Sequence, residues 1–453
     1  MSMEWRQLLC ADRLGARKSG APDPARPPYT IDSDRIIFCS AFRRLQDKTQ
    51  VFPLADNDFV RTRLTHSLEV ASVGRSLGAR VGAEIVKRRG LAPDYHASDF
   101  GAIVSAAALA HDLGNPPFGH SGEDAIRHWF LHSPVTARIK PELTDLQRAD
   151  VEKFEGNAQG FRVIARLQMP DNPGLRLTCA TLAAYSKYPR ESLLPPDLPG
   201  GVSLKKFGFF QSERDCFEEV AAKTGMLARP GNAASWHRHP LAFLVEAAAD
   251  ICYRLVDFED GFRLKHLEYA RVFEAFLDVS GDDKDRDRAA RMRDENERIA
   301  FLRAKAIGAA IEQTAEVFLH NEESILRGDF DQELLELIPC GAALRAIKDQ
   351  SKQTIYSTVR GVEIEVAGYE VLGGLLDVFF GALEDVSRSA EKASMRSRKL
   401  LRLAPAQFLG PEGQPDAAPG LRLMKVLDFV SGMTDSYAVS LYQKVRGISL
   451  PGA

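Results

Sequence analysis

The chain has 453 residues, of which 45% are hydrophobic and 27% charged, and its formal net charge is −3 at pH 7. This much apolar material can bury a large core, which excludes a disordered or collagen-like chain. The nearly balanced charge gives no bulk attraction to nucleic acid or to a membrane, so any anion-binding site has to be local. With no signal peptide pattern and no run of 18 uncharged apolar residues, the sequence predicts a cytoplasmic protein without a membrane partner. The six scattered cysteines lack C-x-x-C spacing and are expected to be reduced thiols.

Apolar residues recur at spacings of three and four along most of the chain, whereas alternating strand patterns are rare. This periodicity predicts an all-α fold with at most a short hairpin. The prolines of residues 17–30 predict an extended N-terminal arm over residues 1–30, which would suit a contact between subunits. Helical patterns then run from Asp32 to about Arg89 and, after a break, from Ser98 to His111.

The rest of the chain is predicted to be helical with three interruptions. A core of residues 31–280 contains an irregular loop near 189–211 and a helix over 240–258, and a helical C-terminal region of residues 281–453 packs on that core. The remaining predicted features are a solvated charged helix or linker at 281–297, a short strand pair at 359–370, and a Pro/Gly loop at 405–419.

A candidate metal site stands at the end of the alanine-rich helix. His111 and Asp112 are adjacent there and are followed by a Gly-Asn-Pro-Pro-Phe-Gly run that reaches His120. An imidazole and a carboxylate can supply a nitrogen and an oxygen ligand to one divalent ion. The alternative interpretation is a buried histidine satisfied by ordinary hydrogen bonds.

Three other segments add polar groups to mostly apolar surroundings. Arg63 lies one turn before His66 at the start of an amphipathic helix, and a cation beside a metal ligand suits an anionic substrate. Acidic residues on an otherwise apolar helix are costly unless they are paired or bound to metal. The acids are Asp257 and Asp260. The amides are Asn157 and Gln159, which could either contact a base or sugar or form an ordinary capping turn.

Four long motifs occur in the first part of the chain. They are FRRLQDKTQVF at 42–52, RTRLTHSLEV at 61–70, HDLGNPPFGHSGE at 111–123 and FEGNAQ at 154–159. Together these motifs resemble the bacterial deoxyguanosinetriphosphate triphosphohydrolases of the HD superfamily. TDSYAVSLYQK at 434–444 extends the resemblance over nearly the whole chain. The resemblance implies an HD-domain helical core and metal-dependent hydrolysis of dGTP, or of other dNTPs, to deoxynucleoside and inorganic triphosphate.

The resemblance also implies a single divalent ion, Mg, Mn or similar, held by four protein ligands. Three of these match His66, His111 and Asp112, but the family's fourth position, an aspartate, is Ala249 here. Only Asp250 remains of the family's pair of acids, and it could act as a ligand only if the helix turned or unwound, because successive helical residues point about 100° apart. We therefore expect weakened metal retention and low activity, whether the alanine is a natural departure or an introduced substitution.

The catalytic pair implied by the resemblance is His120, placed for proton transfer at the α-phosphate, and Glu123, which orients it. From spacing alone, a helix-start histidine with an ordinary capping glutamate is the favoured interpretation. Substrate contacts implied on the sugar, base and phosphates are Gln50, Val51, Arg63, Asn157, Lys187, Tyr188, Lys206, Tyr253 and Asp257. A tight wall at the sugar would exclude a 2′ hydroxyl, whereas the lysines could equally be solvated surface residues.

Two other functions fit the same sequence. One is an HD-type phosphodiesterase or phosphatase, and the other is a regulatory protein that binds nucleotide or single-stranded DNA with little turnover. The resemblance also implies a homo-oligomer, with a hexamer as one arrangement, that responds to a nucleotide or single-stranded DNA effector. No phosphate-binding loop, dinucleotide fingerprint or zinc spacing offers a further source of function.

Overall fold

The computed structural model describes residues 2–15, 25–50, 61–169, 174–194, 201–231, 234–355, 359–410 and 413–449. The predicted all-α class is confirmed, because the chain is 70% helical and the described residues contain isolated β-bridges but no strand. Val51 and residues 16–24 lie outside the described residues.

The helices fall in two groups, before and after the long helix that ends at Arg263. The first group is α1 (Trp5–Leu8), α2 (Pro28–Phe38), α3 (Ser40–Arg44), α4 (Arg63–Arg89), α5 (Ala97–Ala110), α6 (Gly119–His132), α7 (Pro134–Ala137), α8 (Asp145–Glu152), α9 (Gly156–Arg162), α10 (Cys179–Tyr185), α11 (Arg214–Thr224) and α12 (Pro240–Arg263). The second group is α13 (Tyr269–Ser280), α14 (Asp283–Ala290), α15 (Glu295–His320), α16 (Glu322–Arg327), α17 (Gly341–Thr354), α18 (Val359–Ser389), α19 (Met395–Leu401), α20 (Pro419–Ser431) and α21 (Asp435–Val445).

Helices α4 and α5 form an antiparallel pair that positions the predicted metal ligands. Thr62 caps the start of α4, and Gly90, at φ +59°, ends it in the left-handed conformation. A Cβ atom at Gly78 would stand 2.6 Å from the carbonyl oxygen of Phe100, so only glycine allows the two helices to approach this closely. The pairing brings the first turn of α4 beside the last turn of α5, and α12 packs against both helices.

Two apolar clusters hold the described residues together. The first cluster is built mainly on α4, α5, α10, α12 and α15, and the second joins α6 to α18, α20 and α21. The first cluster contains residues from both sides of position 280, and the second joins residues 125–210 to residues 371–441. A boundary at residue 280 therefore does not separate the two cores.

The described part of the predicted N-terminal arm differs from the expectation. Trp5 and Leu8 form helix α1 and are buried, and the indole Nε1 of Trp5 donates to Glu322 Oε1 at 2.9 Å. Helix α2 begins at Pro28, where a proline costs nothing because the first helical N–H has no intrahelical acceptor. An extended arm over all of residues 1–30 was therefore the wrong prediction, since apolar residues ahead of the prolines dock on the core.

The predicted strand pair at 359–370 is also wrong, because these residues form the first turns of helix α18. Val362 and Val366 are exposed there, so no buried strand packing favours an extended conformation for them. The later turns of the same helix bury Leu372 and Phe379 in the second apolar cluster. Tertiary packing of that face overrides the local preference of β-branched residues. By length and composition the span Gly361–Lys392 could cross a membrane, but half of its most apolar window is buried inside the protein.

Candidate active site

A cleft of about 590 Å³ opens where α4, α5 and α12 meet. Most of the residues that the sequence predicts for the site line it together. They are Gln50, Arg63, His66, His111, Asp112, His120, Asn157, Lys187, Tyr188, Lys206, Asp250 and Tyr253.

The other predicted residues do not line the cleft. Glu123 is buried behind His120, and Asp257 is buried within α12. Gln159 is buried too, and its Nε2 donates to Asp428 Oδ1 at 3.0 Å, away from the cleft. Asp260 forms ion-paired contacts with Arg61. These side chains therefore contribute to the site through other residues or belong to the fold alone.

His66, His111 and Asp112 form a cluster whose candidate ligand atoms all lie within 4.8 Å of one another. The two imidazole rings have centroids 5.4 Å apart. Nδ1 of His111 donates to the carbonyl oxygen of Ala108 at 2.7 Å, which leaves Nε2 as the nitrogen that can bind a metal. Nδ1 of His66 is buried with no hydrogen-bond partner among the described residues. This donor set, with a buried nitrogen left unsatisfied, fits a divalent ion.

The electrostatics of the cluster keep its groups in the protonation states that metal binding needs. Burial lowers the pKa of His66 to about 3, with His111 adding to the effect, so the imidazole is neutral at physiological pH. Burial alone would raise the pKa of Asp112, but His111 and the guanidinium of Arg63 hold it well below its usual range. Nη1 of Arg63 donates to Asp112 Oδ2 at 2.9 Å, and Nδ2 of Asn115 donates to Oδ1 at 2.7 Å.

Position 249 adds no ligand atom to the cluster of His66, His111 and Asp112. Ala249 lines the cleft, but its methyl group offers no ligand atom. Asp250 lines the cleft without joining the cluster, and its Oδ2 instead accepts from Arg254 Nη2 at 3.3 Å. Helix α12 stays regular through both residues, so the unwinding that Asp250 would need does not occur. The structure thus gives no support to Asp250 as a fourth ligand.

His120 and Glu123 form a hydrogen-bonded pair on the first turns of α6. The side chain of His120 is 80% exposed, and its Nδ1 lies 3.0 Å from Oε2 of the buried Glu123. Because a carboxylate only accepts, Nδ1 carries the proton and Nε2 remains available to a substrate. Oε1 of Glu123 accepts from the backbone N–H of Gly156 at 2.7 Å, which fixes the carboxylate. Burial would raise the pKa of Glu123, but the bond from His120 lowers it, so the carboxylate stays ionised.

The cleft also carries cations suited to phosphate groups. Lys187 is half-buried, and its ammonium group makes no hydrogen bond or ion pair with the described residues. Lys206 lies 3.0 Å from Oε2 of the buried Glu155, whose Oε1 accepts from Asn157 Nδ2 at 2.7 Å. Burial raises the pKa of Glu155, and the charge of Glu123 raises it further. Of the two lysines, Lys187 is therefore the one whose ammonium group keeps all of its hydrogen-bond donors for a ligand.

Sequence reasoning missed several residues of the site. Glu155 stands inside the FEGNAQ motif and was available as a signal, since it is the N-cap residue of α9. Asn115 follows Asp112 by three residues, the spacing of a turn. Of the cleft's C-terminal lining residues, Gly361, Ile364 and Glu365 fall where the sequence predicted strands, and Ile355 lies just before them. No local pattern connects these residues to the histidines.

Comparison with known proteins agrees with this geometry. The HD domain family model matches residues 63–168, which contain the three-residue cluster and the His120–Glu123 pair. A "Deoxyguanosinetriphosphate triphosphohydrolase-like protein" of Synechocystis is 45% identical over 99% of this chain and 100% of its own length. A protein of the same description from Pseudomonas aeruginosa is 41% identical over 99% and 100%. A "Deoxyguanosinetriphosphate triphosphohydrolase" of Klebsiella pneumoniae is 32% identical over 93% and 94%.

The helical fold and the His/Asp cluster define an HD-domain protein of the phosphohydrolase class. Because full-length relatives of this kind are more than 30% identical, the chain belongs to the deoxyguanosinetriphosphate triphosphohydrolase family.

Proposed function

We propose that this chain hydrolyses deoxynucleoside triphosphates in the cytoplasm, dGTP first among them, to deoxynucleoside and inorganic triphosphate. The observation that carries the proposal is the presence, in one cleft, of the His66–His111–Asp112 cluster and the exposed imidazole of His120. The names of the relatives support the same substrate.

In this proposal, His66, His111 and Asp112 hold a divalent ion. Such an ion, when bound, lowers the pKa of a water molecule and neutralises phosphate oxygens. Lys187 and Arg63 bind the anionic phosphates, because both line the cleft beside the cluster. Nε2 of His120 transfers a proton at the α-phosphate, and Glu123 keeps the imidazole oriented by accepting from Nδ1.

In the proposal, the part of the cleft wall that contains Gln50 and Tyr253 distinguishes deoxyribose from ribose. A wall that meets the deoxyribose closely leaves a 2′ hydroxyl both crowded and without a hydrogen-bond partner. We therefore expect deoxynucleotides to be preferred over ribonucleotides.

A second candidate function is favoured by Ala249. Three protein ligands hold a metal less firmly than four, so the chain could act mainly as a nucleotide-binding protein with little turnover. In that case dNTPs would raise the melting temperature without being consumed.

The experiment that tests the proposal is a turnover assay with all four dNTPs in Mg²⁺ and in Mn²⁺, followed by separation of the products. Inorganic triphosphate and deoxynucleoside are the expected products. Pyrophosphate or single phosphate would overturn the proposed cut and favour another HD-type phosphohydrolase. Thermal shifts without product would favour the binding function instead.

A further inference from the structure

The turn between α20 and α21 contacts two segments that line the cleft. Asp435, the first residue of α21, is 1% exposed. Its Oδ2 accepts from the backbone N–H of Thr49 at 2.9 Å and from the Thr49 hydroxyl at 2.5 Å. Its Oδ1 accepts from the backbone N–H of Phe118 at 3.0 Å. Because Thr49 and Phe118 both line the cleft, one buried carboxylate links two parts of its wall.

Lys48 connects the end of α20 with the loop that follows Asp112. Nζ of the buried Lys48 donates to the carbonyl oxygen of Asn115 at 2.5 Å and to that of Ser431 at 3.0 Å. Asn115 in turn donates to Asp112. The C-terminal turn is therefore connected to the cluster through two hydrogen-bonded residues.

Phe118 shows why such support is needed. Its φ of +63° is the left-handed conformation, which is strained for a phenylalanine, and Gly119 follows at φ +61°. Phe118 is the N-cap residue of α6 and Gly119 is its first residue, so their conformations determine the direction in which His120 leaves the loop. The bond from the Phe118 N–H to Asp435 stabilises this conformation, because a charged acceptor makes a stronger hydrogen bond than a neutral one.

We propose that Asp435 is a positioning residue of the site, which sets the placement of Gln50, next to Thr49, and of His120, two residues after Phe118. The C-terminal helices are then part of the machinery of the cleft. The catalytic consequence rests on the proposed function, whereas the link between Asp435 and the two wall segments does not.

The test compares Asp435→Asn and Asp435→Ala with the unchanged full-length chain. Asparagine keeps one acceptor and presents a donor to the other N–H, so one segment is released, while alanine releases both. Hydrogen–deuterium exchange, read by mass spectrometry over the peptides containing Thr49 and Phe118, should become about tenfold faster in the alanine variant. With dGTP as substrate, KM should rise and kcat should fall. General destabilisation lowers the folded fraction and hence kcat, but it leaves KM unchanged.

Glu384→Gln is the matched control, because Glu384 is a mostly buried carboxylate that accepts from Arg422 on α20 and from Arg388. Among the described residues, Glu384, Arg388 and Arg422 do not line the cleft. It should lower the melting temperature while leaving exchange at Thr49 and Phe118, and the KM for dGTP, unchanged. If Asp435→Ala does not fold, Thr49→Val, which removes only the hydroxyl bond, should still raise exchange in the Thr49 peptide.

Unchanged exchange at both segments in folded Asp435 variants would overturn the proposal. So would equal acceleration in the Glu384→Gln control. If the unchanged chain shows no turnover, the proposed function fails, but the exchange comparison still decides whether Asp435 holds the two segments.

Discussion

His66 and His111 lie with ring centroids 5.4 Å apart, although they belong to different helices. His66 stands at the start of α4 and His111 follows the end of α5, so the antiparallel packing of the two helices creates the pair. Asp112 completes the cluster, and Ala249 stands where the resemblance to the family implies a fourth ligand. In the proposed function, activity therefore depends on how well these three residues retain a metal.

Replacing Ala249 with aspartate should strengthen metal binding. The methyl group of Ala249 already lines the cleft, so a carboxylate there can supply the missing oxygen ligand. We expect Mn²⁺ affinity and metal-dependent turnover to rise on the order of 100-fold, measured by calorimetry and by triphosphate release. Asp250→Asn should leave Mn²⁺ affinity unchanged, because Asp250 lies outside the cluster. Unaltered affinity in Ala249→Asp would show that this position is not a ligand position.

The His120–Glu123 pair should matter for turnover more than for binding. His120→Gln removes the group that transfers a proton, and we expect kcat to fall about 100-fold or more while nucleotide affinity changes little. Glu123→Gln should give a smaller loss, since the imidazole remains but loses its fixed orientation. Equilibrium binding of dGTP, measured beside kcat, checks this separation. A His120→Gln variant with full turnover would remove His120 from the mechanism.

Lys187 should contribute mainly to holding the phosphates. Lys187→Gln is expected to raise the KM for dGTP about tenfold and to weaken the dependence of KM on salt, because a charge-assisted contact is lost. Lys205→Gln is the matched control, since Lys205 is exposed, pairs with Glu333 and does not line the cleft. Equal effects of the two substitutions would argue for a general electrostatic change rather than a specific contact.

His239 should make stability depend on pH. Burial lowers the pKa of His239 to about 4, although the hydrogen bond to the Leu8 carbonyl raises it. In this buried site Nε2 donates to the Leu8 carbonyl and Nδ1 accepts from the Leu241 N–H, so the folded protein holds the imidazole in its neutral form. The unfolded chain binds this proton near pH 6.5, so the contribution is complete above that pH and is lost as the pH falls from 6.5 to 4. The loss is roughly 3 kcal/mol of unfolding free energy.

Asparagine at position 239 would keep an acceptor for the Leu241 N–H but cannot be protonated. Urea unfolding at pH 4.5 and pH 7 should therefore differ less for His239→Asn than for the unchanged chain. An identical pH dependence in both proteins would show that His239 is not the responsible group.

Much of the cleft's lining could be predicted from short segments, because the His/Asp cluster and the His120–Glu123 pair each lie in short motifs. The oligomeric state, the effector and the base preference stay predictions. Glu155 and Asn115 carried local signals, an N-cap position and the spacing of a turn. Their contacts with Lys206 and Lys48 join segments that are distant in sequence, so no spacing along the chain could predict them.

The sequence by itself determined the all-α class and the helices around the cluster, because apolar periodicity and capping residues act within a few residues of each other. The tertiary structure alone decided that residues 359–370 are helical. It also decided that Asp435 supports Thr49 and Phe118. These outcomes depend on which buried surfaces meet, and that is set by the packing of distant helices rather than by local preference.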